Sequence, residues 1–363
     1  MLYHLLYPLR DLFFGFNVFR YITFRTAGAM ISAFVLSITL GPFIIRLLAR
    51  LNVGECIRGA HETPGIYHMH KHKEGTPTMG GIIILLVILL STLLWAKLDN
   101  RYILITIAST VWLGIVGFLD DFIKLAKKDA DGISNITKLA GEVILGLIIG
   151  VILFYDKNVG SMIYFPFFKN AVMDIGVFYI LFVMFVIVGS SNAVNLTDGL
   201  DGLAIGCMVM VALSYTAISY IVGNVNFSHY LLLKNIPGAG ELAVYCAAIA
   251  GAGLGFLWFN SYPATVFMGD VGSLALGGGI GVVASCIKKE MLLLIVGGIF
   301  VFEAFSVILQ VSSFKLRRRR IFLMAPFHHH LQMRGWPEPK IVVRFWIVAA
   351  MLALFTLATL KLR

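Results

Sequence analysis

Four short polar stretches hold most of the side chains in this chain that could do chemistry. They lie at residues 117–121, 192–201, 260–270 and 326–330, and they contain carboxylates, amides and imidazoles. Carboxylate oxygens without neighbouring thiols suit a hard divalent cation, Mg²⁺ or Mn²⁺, better than zinc. The residue types therefore predict a metal-assisted reaction, provided that folding brings the four stretches together.

The first stretch ends in Asp120 and Asp121, directly after an apolar segment. A carboxylate at mid-membrane costs about 2.5 kcal/mol or more, so acids close to lipid indicate function by default. Neighbouring residues on a helix point about 100° apart, and we expect the two aspartates to have different roles. The simpler alternative is a solvated helix end that pairs with Lys124 one turn further on.

The second stretch offers two amides and two carboxylates. Asn192 and Asn195 can bind the edge of a base or a sugar, and Asp198 and Asp201 share one face if a helix begins there. The glycines beside these aspartates allow backbone to approach a ligand closely. The alternative is an Asx-rich turn that caps the next helix, and capping and binding can coexist.

The third stretch contains Asp270, which lies between Gly269 and Gly272. A lone aspartate at the start of an apolar segment is most often a helix N-cap. A role in metal binding requires oxygen ligands from other loops, and the remaining polar stretches offer them. The residues alone leave both interpretations open.

Three consecutive histidines, His328, His329 and His330, form the fourth stretch. Consecutive side chains cannot all point at one ion, so a three-histidine zinc site is disfavoured. The basic run at residues 317–320 precedes them, and this position favours phosphate contacts or proton transfer. A cluster of surface histidines is the alternative.

A fifth polar loop, residues 73–81, carries Lys73 and Thr78 around a Gly-Thr-Pro turn. Lysine is a common phosphate-binding side chain. The loop lacks the spacing of a P-loop, so this motif alone is a weak indication of phosphate binding.

The elements that position these residues must lie in a membrane. Of the 363 residues, 59% are hydrophobic and 13% are charged, and the mean hydropathy is +0.89. Soluble domains carry about 25% charged residues. Continuous apolar runs favour helices over a β-barrel. We therefore predict an all-α integral membrane protein, a single polytopic domain over residues 1–363 with about ten transmembrane helices and an interfacial amphipathic segment at residues 1–25.

The predicted spans are residues 26–45, 79–96, 102–119, 139–155, 175–188, 203–222, 242–258, 271–287, 291–311 and 341–360. The loops that follow odd-numbered spans carry most of the lysines and arginines, which places them in the cytoplasm and both termini in the periplasm. The predicted cytoplasmic loops are at about 50–78, 120–138, 190–202, 259–270 and 315–340. All the acidic stretches and the histidines follow odd-numbered spans, so we expect a single site on the cytoplasmic face.

In this order, the polar stretches resemble those of the phospho-N-acetylmuramoyl-pentapeptide transferases (translocase I), a branch of the polyprenyl-phosphate N-acetylhexosamine-1-phosphate transferases. The motifs are Lys73-x-Gly-Thr-Pro-Thr-Met-Gly-Gly, Phe118-Leu-Asp-Asp, Asn195-Leu-Thr-Asp-Gly-Leu-Asp-Gly, Phe267-Met-Gly-Asp-x-Gly-Ser, Pro326-x-His-His-His and Gly335-Trp-Pro-Glu-Pro-Lys. Leu331 and Gln332 stand where the family commonly has an aromatic residue and Glu. The loop at residues 58–73 is also longer and richer in histidine.

The resemblance implies a Mg²⁺-dependent phosphotransferase of peptidoglycan synthesis. Such an enzyme moves phospho-N-acetylmuramoyl-pentapeptide from its UDP-linked donor to undecaprenyl phosphate, and it releases UMP and forms lipid I. The resemblance also implies a bacterial inner-membrane location, contact with membrane lipid and a homodimer, and no nucleic-acid partner is expected.

The resemblance further implies roles for individual residues. Asp270 and Asp121 are expected to bind the metal, and Asp120 is expected to act on the acceptor phosphate as a base or positioning group. Catalysis is expected to use His329 in addition to the three aspartates. The expected substrate-binding residues are Lys73, Thr78, Lys138, Asn195, Asp198, Asp201, Phe267, which would stack on uracil, His328 and His330.

Two alternatives remain open on the sequence. The nearer is a polyprenyl-phosphate N-acetylglucosamine-1-phosphate transferase, against which the histidine triplet and the Trp336 segment weigh. The other is a cation-coupled transporter, since intramembrane acids also mark ion pathways. A transporter predicts acids near mid-membrane and paired broken helices, whereas the acids of this chain cluster at one predicted face.

Overall fold

The computed structural model describes residues 1–51, 75–127, 132–168 and 172–361. Within these ranges nine helices are long and apolar enough to cross a membrane, and a shorter apolar helix accompanies them. The prediction of an all-α integral membrane protein is thus confirmed.

The helices and strands are numbered here in chain order. They are α1 (Leu2–Leu6), α2 (Ile22–Arg50), α3 (Gly81–Trp95), α4 (Arg101–Lys127), α5 (Asn135–Phe154), β1 (Met162–Tyr164), β2 (Val172–Asp174), α6 (Phe178–Thr197), α7 (Leu203–Gly223), α8 (Val225–Tyr230), α9 (Leu242–Asn260), α10 (Gly269–Cys286), α11 (Glu290–Val296), α12 (Gly298–Arg317), α13 (Phe327–Met333) and α14 (Glu338–Thr359). The described residues also contain three 3₁₀ turns, Tyr7–Asp11, Phe14–Arg20 and Ala239–Glu241.

Two helices extend beyond the predicted spans and carry candidate site residues with them. The third span was expected to end at residue 119, but α4 continues to Lys127 and contains Asp120 and Asp121. Likewise α6 continues through Asn195 to Thr197. Hydropathy detects only the apolar part of a helix. The backbone hydrogen bonds can continue into polar turns, where side-chain contacts stabilise the helix.

The ninth predicted span, residues 291–311, is broken in the structure. Helix α11 ends at Val296, and α12 starts at Gly298 after Gly297. Both sides of the break are apolar, so hydropathy could not locate it. A short antiparallel hairpin of β1 and β2, in which Ile163 pairs with Met173, was also absent from the all-α prediction.

Helix α10 lies at the centre of the bundle, where all residues from 271 to 286 are buried. Its glycines allow neighbouring backbones to come close. A Cβ on Gly277 would lie 2.4 Å from the backbone oxygen of Ser190 in α6, and one on Gly272 would lie 2.9 Å from Cα of Gly81 in α3. This close packing fixes the first turn of α10, which carries Asp270.

The two ends of the bundle differ in their polar contacts. At the end far from Asp270, Arg25 forms a bidentate ion pair with Glu241, with distances of 2.5 and 2.6 Å. The amine of Met1 donates to the carbonyl of Leu93 near the last turn of α3. Lys361 donates to the carbonyl of Tyr230, the last residue of α8. Helix α8 directly follows α7, which begins at the Asp270 end. The described parts of both termini therefore lie at the end away from Asp270, and their compartment stays a prediction.

Candidate active site

Three aspartates converge at one end of the bundle. Asp120 and Asp121 lie in the last two turns of α4, and Asp270 lies in the first turn of α10. One carboxylate oxygen from each of the three lies within 4.8 Å of the other two. Asp120 and Asp121 are buried and Asp270 is nearly so, with its side chain 13% exposed. We name these three residues the aspartate cluster.

Two lysines neutralise most of the charge of the aspartate cluster. Lys124 Nζ lies 2.7 Å from Asp120 Oδ2 and 2.9 Å from Asp270 Oδ2. Lys138, from the first turn of α5, places its Nζ 2.8 Å from the same oxygen of Asp270. Because the aspartates are largely shielded from water, these pairs are screened much less by salt than surface pairs are.

The two adjacent aspartates have different surroundings. Asp120 Oδ1 accepts a hydrogen bond of 2.8 Å from the amide of Ile133, in the loop before α5. Asp121 Oδ2 accepts one of 3.2 Å from the amide of Val271, in α10. Asp121 is therefore tied to the helix of Asp270, whereas Asp120 faces the α4–α5 connection. The two carboxylates therefore have different contacts, and their separate roles stay a prediction.

Glycines are required where α4 meets the start of α10. A Cβ on Gly117 would lie only 2.3 Å from the backbone oxygen of Asp270. Gly269 has a φ of +72°, and a Cβ there would lie 2.6 Å from Asp121 Oδ2. Any larger residue at either position would push the two acidic segments apart.

The carboxylate of Asp270 is held on both of its oxygens. Asn195 Nδ2, in the last turn of α6, donates to Asp270 Oδ1 at 2.5 Å and also lies 2.8 Å from Ser273 Oγ, while the lysines occupy Oδ2. Asp270 is not an N-cap, because Met268 is the capping residue of α10 and Asp270 lies inside the helix. This arrangement disfavours the capping alternative.

The loop before α3 lies against the segment that leads into α10. Phe267 donates its amide to Pro77 O, and its carbonyl accepts the amide of Gly80, both at 2.8 Å. Thr78 Oγ1 would lie 3.2 Å from a Cβ on Gly269, which places this hydroxyl beside the aspartate cluster. Lys73, the other expected phosphate contact of this loop, lies outside the described residues.

Residues 103–288 match the glycosyl transferase family 4, and residues 73–85 match signature 1 of the phospho-N-acetylmuramoyl-pentapeptide-transferases. Relatives of that name are 52% identical in Desulfotalea psychrophila, 53% in Citrifermentans bemidjiense and 52% in Geobacter sp. strain M21, and in each case 100% of both chains is covered. The chain belongs to this family. The family membership that its motifs indicated is thereby confirmed.

In this member of the transferase family, Asp198 and Asp201 lie in the turn between α6 and α7. The condition for a shared helical face is not met, because α7 starts only after Gly202, whose φ of +76° sets the turn. Asp201 is buried, its Oδ2 accepts the amide of Ala264 at 3.0 Å, and its own amide donates to Glu338 Oε1 at 2.7 Å. Asp201 thus ties the α6–α7 turn to the loop before α10 and to the first residue of α14. Asp198 is half-buried at the C-cap of α6.

The three histidines of this transferase point to different partners, as expected for consecutive residues. His328 is fully buried, its amide donates to Glu303 Oε1 at 3.2 Å, and its Nδ1 lies 3.3 Å from Glu303 Oε2. Glu303, an acid within the apolar helix α12, thus anchors the start of α13 from inside the bundle. A Cβ on Gly199 would lie 2.4 Å from His328 Nε2, so the ring reaches the α6–α7 turn.

The other two histidines of the triplet differ in their contacts. His329 Nδ1 lies 2.8 Å from Gln332 Oε1. His330 Nδ1 accepts the amide of Leu323 at 3.1 Å, and its ring stacks on Phe327. Burial lowers the pKa of the His330 imidazole, and the nearby Arg334 lowers it further, so the neutral, accepting form is favoured. His330 therefore holds the loop that precedes α13.

A buried carboxyl behind the aspartate cluster was missed at the sequence level. Glu142 lies one turn after Lys138 in α5, is fully buried and accepts a hydrogen bond from Asn192 Nδ2, one turn before Asn195 in α6. Its other oxygen, Oε1, has no hydrogen-bond partner in the described part of the chain. An acid four residues after a lysine at the start of an apolar span is the signal that could have revealed it.

We expect Glu142→Gln to keep both the fold and the activity, because an amide oxygen can still accept from Asn192. Glu142→Leu removes that acceptor and should lower the free energy of unfolding by about 1–3 kcal/mol. Thermal unfolding in detergent and turnover of the two variants measure these effects. Equal behaviour of the two variants would show that the Glu142–Asn192 contact does not support the site.

Proposed function

We propose that this protein transfers phospho-N-acetylmuramoyl-pentapeptide from its UDP-linked donor to undecaprenyl phosphate, and so forms lipid I and UMP. The observation that carries this proposal is the 52–53% identity, over the whole chain, to relatives named for that transferase activity. The aspartate cluster and its lysines, at one end of a membrane bundle, offer the chemistry that a diphosphate donor and a lipid acceptor need.

The reaction exchanges one phosphorus–oxygen bond for another. An oxygen of the acceptor phosphate attacks the phosphorus that bears the sugar, and the bond from that phosphorus to the oxygen of UMP breaks. Phosphoryl transfer is catalysed mainly by positioning and charge neutralisation. We assign the charge neutralisation to Lys124 and Lys138, whose ammonium groups both contact one oxygen of Asp270.

We propose that Asp121 and Asp270 hold a divalent cation, Mg²⁺ or Mn²⁺. The donor set fits a hard cation, because the candidate ligand atoms are carboxylate oxygens that lie within 4.8 Å of one another. When bound, such a cation supplies further neutralisation of the diphosphate charge. Hydrogen bonds from Val271 and Asn195 keep the two proposed ligand carboxylates in place.

We assign Asp120 to the acceptor phosphate. The second pKa of a phosphate monoester is near 6, so the acceptor is largely dianionic at neutral pH and needs no strong base. Asp120, which Lys124 and the Ile133 amide hold in one position, is then a positioning group for direct attack. Exchange of labelled UMP into the donor without any lipid acceptor would instead indicate an aspartyl-phosphate intermediate.

The remaining expected residues surround the aspartate cluster from the neighbouring loops. We propose that Phe267 stacks on uracil and that Thr78, Asn195 and Asp198 bind the uridine and phosphate groups. Lys73 is assigned to the same pocket from its motif alone. Asp201 is proposed to shape this pocket, because its buried carboxylate fixes the segment before Phe267.

The histidines are proposed to act at the diphosphate. We assign assistance of the leaving group to His329, whose ring is oriented by Gln332. His328 and His330 are both engaged by the protein itself, by Glu303 and Leu323. We therefore propose that they influence the diphosphate through the position of α13.

We propose that the aspartate cluster faces the cytoplasm of a bacterial inner membrane. The basic run at residues 317–320 begins at the last residue of α12, at the histidine end of the bundle, and lysine- and arginine-rich loops stay in the cytoplasm. Alkaline phosphatase fused after residue 363 should then be active, and an inactive fusion would reverse the orientation. The homodimer implied by the family resemblance belongs to the same proposal and can be checked by light scattering in detergent.

The proposed function is tested by release of UMP in detergent. We expect release from UDP-N-acetylmuramoyl-pentapeptide only when undecaprenyl phosphate is present. Chelation by EDTA should lower the rate at least about 10³-fold, and added Mg²⁺ should restore it. A rate that EDTA leaves unchanged would contradict the metal assignment but not the transferase function.

Two further outcomes separate the alternatives. Preferential use of UDP-N-acetylglucosamine under the same conditions would indicate the neighbouring branch of transferases. Cation-dependent uptake into vesicles without any UMP would indicate a transporter.

A further inference from the structure

The segment before α2 is fastened to the end of the bundle that lies away from the aspartate cluster. The Met1 amine donates to Leu93 O at 2.7 Å, and the ring of Phe19 stacks on Trp95 with a centroid distance of 6.0 Å. Leu93 and Trp95 end α3, whose first turn packs beside the start of α10. The residues before α2 are therefore held in one position by contacts that have no role in the transferase site.

A cavity of about 620 Å³ opens within this segment, between the two 3₁₀ turns. Tyr3, Tyr7, Arg10, Asn17 and Arg20 contribute to its wall. The guanidinium of Arg10 lies 4.6 Å from the centre of the Tyr7 ring, which holds it at the cavity. The cavity wall thus combines two guanidinium groups, those of Arg10 and Arg20, with aromatic rings and an amide.

The charge of the cavity is positive. Asp11 is the acid in its wall, and it lies 3.8 Å from Arg10 as an exposed pair, which contributes little. Arg20 also contributes to the cavity wall and is exposed. Two guanidinium groups against one carboxylate favour an anionic ligand, and a guanidinium matches the oxygens of a phosphate in two places at once.

The rim of the cavity is strongly apolar. Leu12, Phe13 and Phe14 are 84%, 62% and 85% exposed, and Phe14 also contributes to the cavity wall. Consecutive exposed side chains of this size are unfavourable in water and typical of a segment that enters the membrane interface. A soluble anion would leave this apolar surface uncovered.

We propose that the cavity binds the headgroup of an anionic glycerophospholipid from the adjacent leaflet. Arg10 and Arg20 would contact the phosphodiester, and the acyl chains would run along Leu12, Phe13 and Phe14. A zwitterionic lipid is disfavoured, because its own ammonium group would lie beside two guanidinium groups. This site is separate from the aspartate cluster and does not depend on the proposed transferase function.

Native mass spectrometry of the full chain in detergent tests the proposal. We titrate the delipidated protein with dioleoyl-phosphatidylglycerol or dioleoyl-phosphatidylcholine and measure the first lipid adduct. Each cation near a membrane contributes about 1 kcal/mol to the binding of anionic lipid, which is about 5-fold in affinity. The parent should therefore prefer phosphatidylglycerol by about 5- to 30-fold, and R10Q/R20Q should lose that preference. R10K/R20K keeps the charge but not the two-point match to phosphate, so it should keep part of the preference.

The matched control removes two cations from the same end of the bundle but outside the cavity, as K157Q/K361Q. This variant should retain the lipid preference of the parent. Thermal unfolding shows whether each variant is folded. If the double variant is unstable, the single variants R10Q and R20Q replace it. Each single variant is expected to lower the lipid preference about 5-fold. Equal binding of both lipids by the parent, or equal loss in R10Q/R20Q and K157Q/K361Q, overturns the proposal.

Discussion

Replacing Asp270 by Asn should lower the rate of UMP release by about 10³-fold, because it removes the negative charge on which the site is assembled. In the structure Lys124 and Lys138 lie 2.9 and 2.8 Å from one oxygen of Asp270, and Asn195 donates to the other. An amide cannot accept on both of its heavy atoms, so Asp270→Asn leaves either the two ammonium groups or Asn195 without an acceptor. The steady-state rate with both substrates and Mg²⁺ measures the effect.

The matched control is Asp174→Asn, in β2 at the other end of the bundle. Asp174 is exposed, so its amide variant should keep the parental rate and the parental unfolding temperature. Asp270→Asn should also need far more Mg²⁺ for half-maximal residual rate. A variant that is folded and turns over within 10-fold of the parent would remove Asp270 from the proposed metal site.

The sequence predicted the helices of the bundle more reliably than their ends. The spans 203–222 and 242–258 lie within a few residues of α7 and α9, because their apolar composition continues to the helix ends. Helix α4 extends past its predicted end at residue 119, since Lys124 one turn on pairs with Asp120 and allows the polar turns to stay helical. Hydropathy carries no information on such pairs.

Counting the spans was enough to place the acidic stretches at one end of the bundle. An even number of crossings between two loops returns the chain to the same side, and the three aspartates do meet there. The count could not show which oxygen faces which partner. The separate contacts of Asp120 with Ile133 and of Asp121 with Val271 depend on the packing of α4 against α10.

The pairing of Lys124 illustrates why the simpler alternative was incomplete. The sequence allowed an ordinary pair within one helix, and the 2.7 Å contact with Asp120 is such a pair. The same ammonium group also lies 2.9 Å from Asp270, which is 146 residues further along the chain. A contact at that separation follows from the tertiary fold and from no local pattern.

Replacing Lys138 by Gln should lower the rate by about 10²- to 10³-fold, a smaller loss than for Asp270→Asn. Lys138 is the deeper of the two cations, with 14% of its side chain exposed against 33% for Lys124, and burial strengthens its interaction with a diphosphate. Lys124 remains beside Asp270 in the variant, so part of the neutralisation persists.

The matched control for Lys138→Gln is Lys127→Gln, which removes an exposed cation at the end of α4 and should leave the rate unchanged. Because Lys138 is proposed to contact the donor, its loss should also raise the KM for the UDP-linked substrate more than the KM for the lipid. Equal rates of the Lys138→Gln and Lys127→Gln variants would mean that Lys138 only balances the charge of the aspartates. The ammonium group of Lys124 would then be sufficient to neutralise the diphosphate during the reaction.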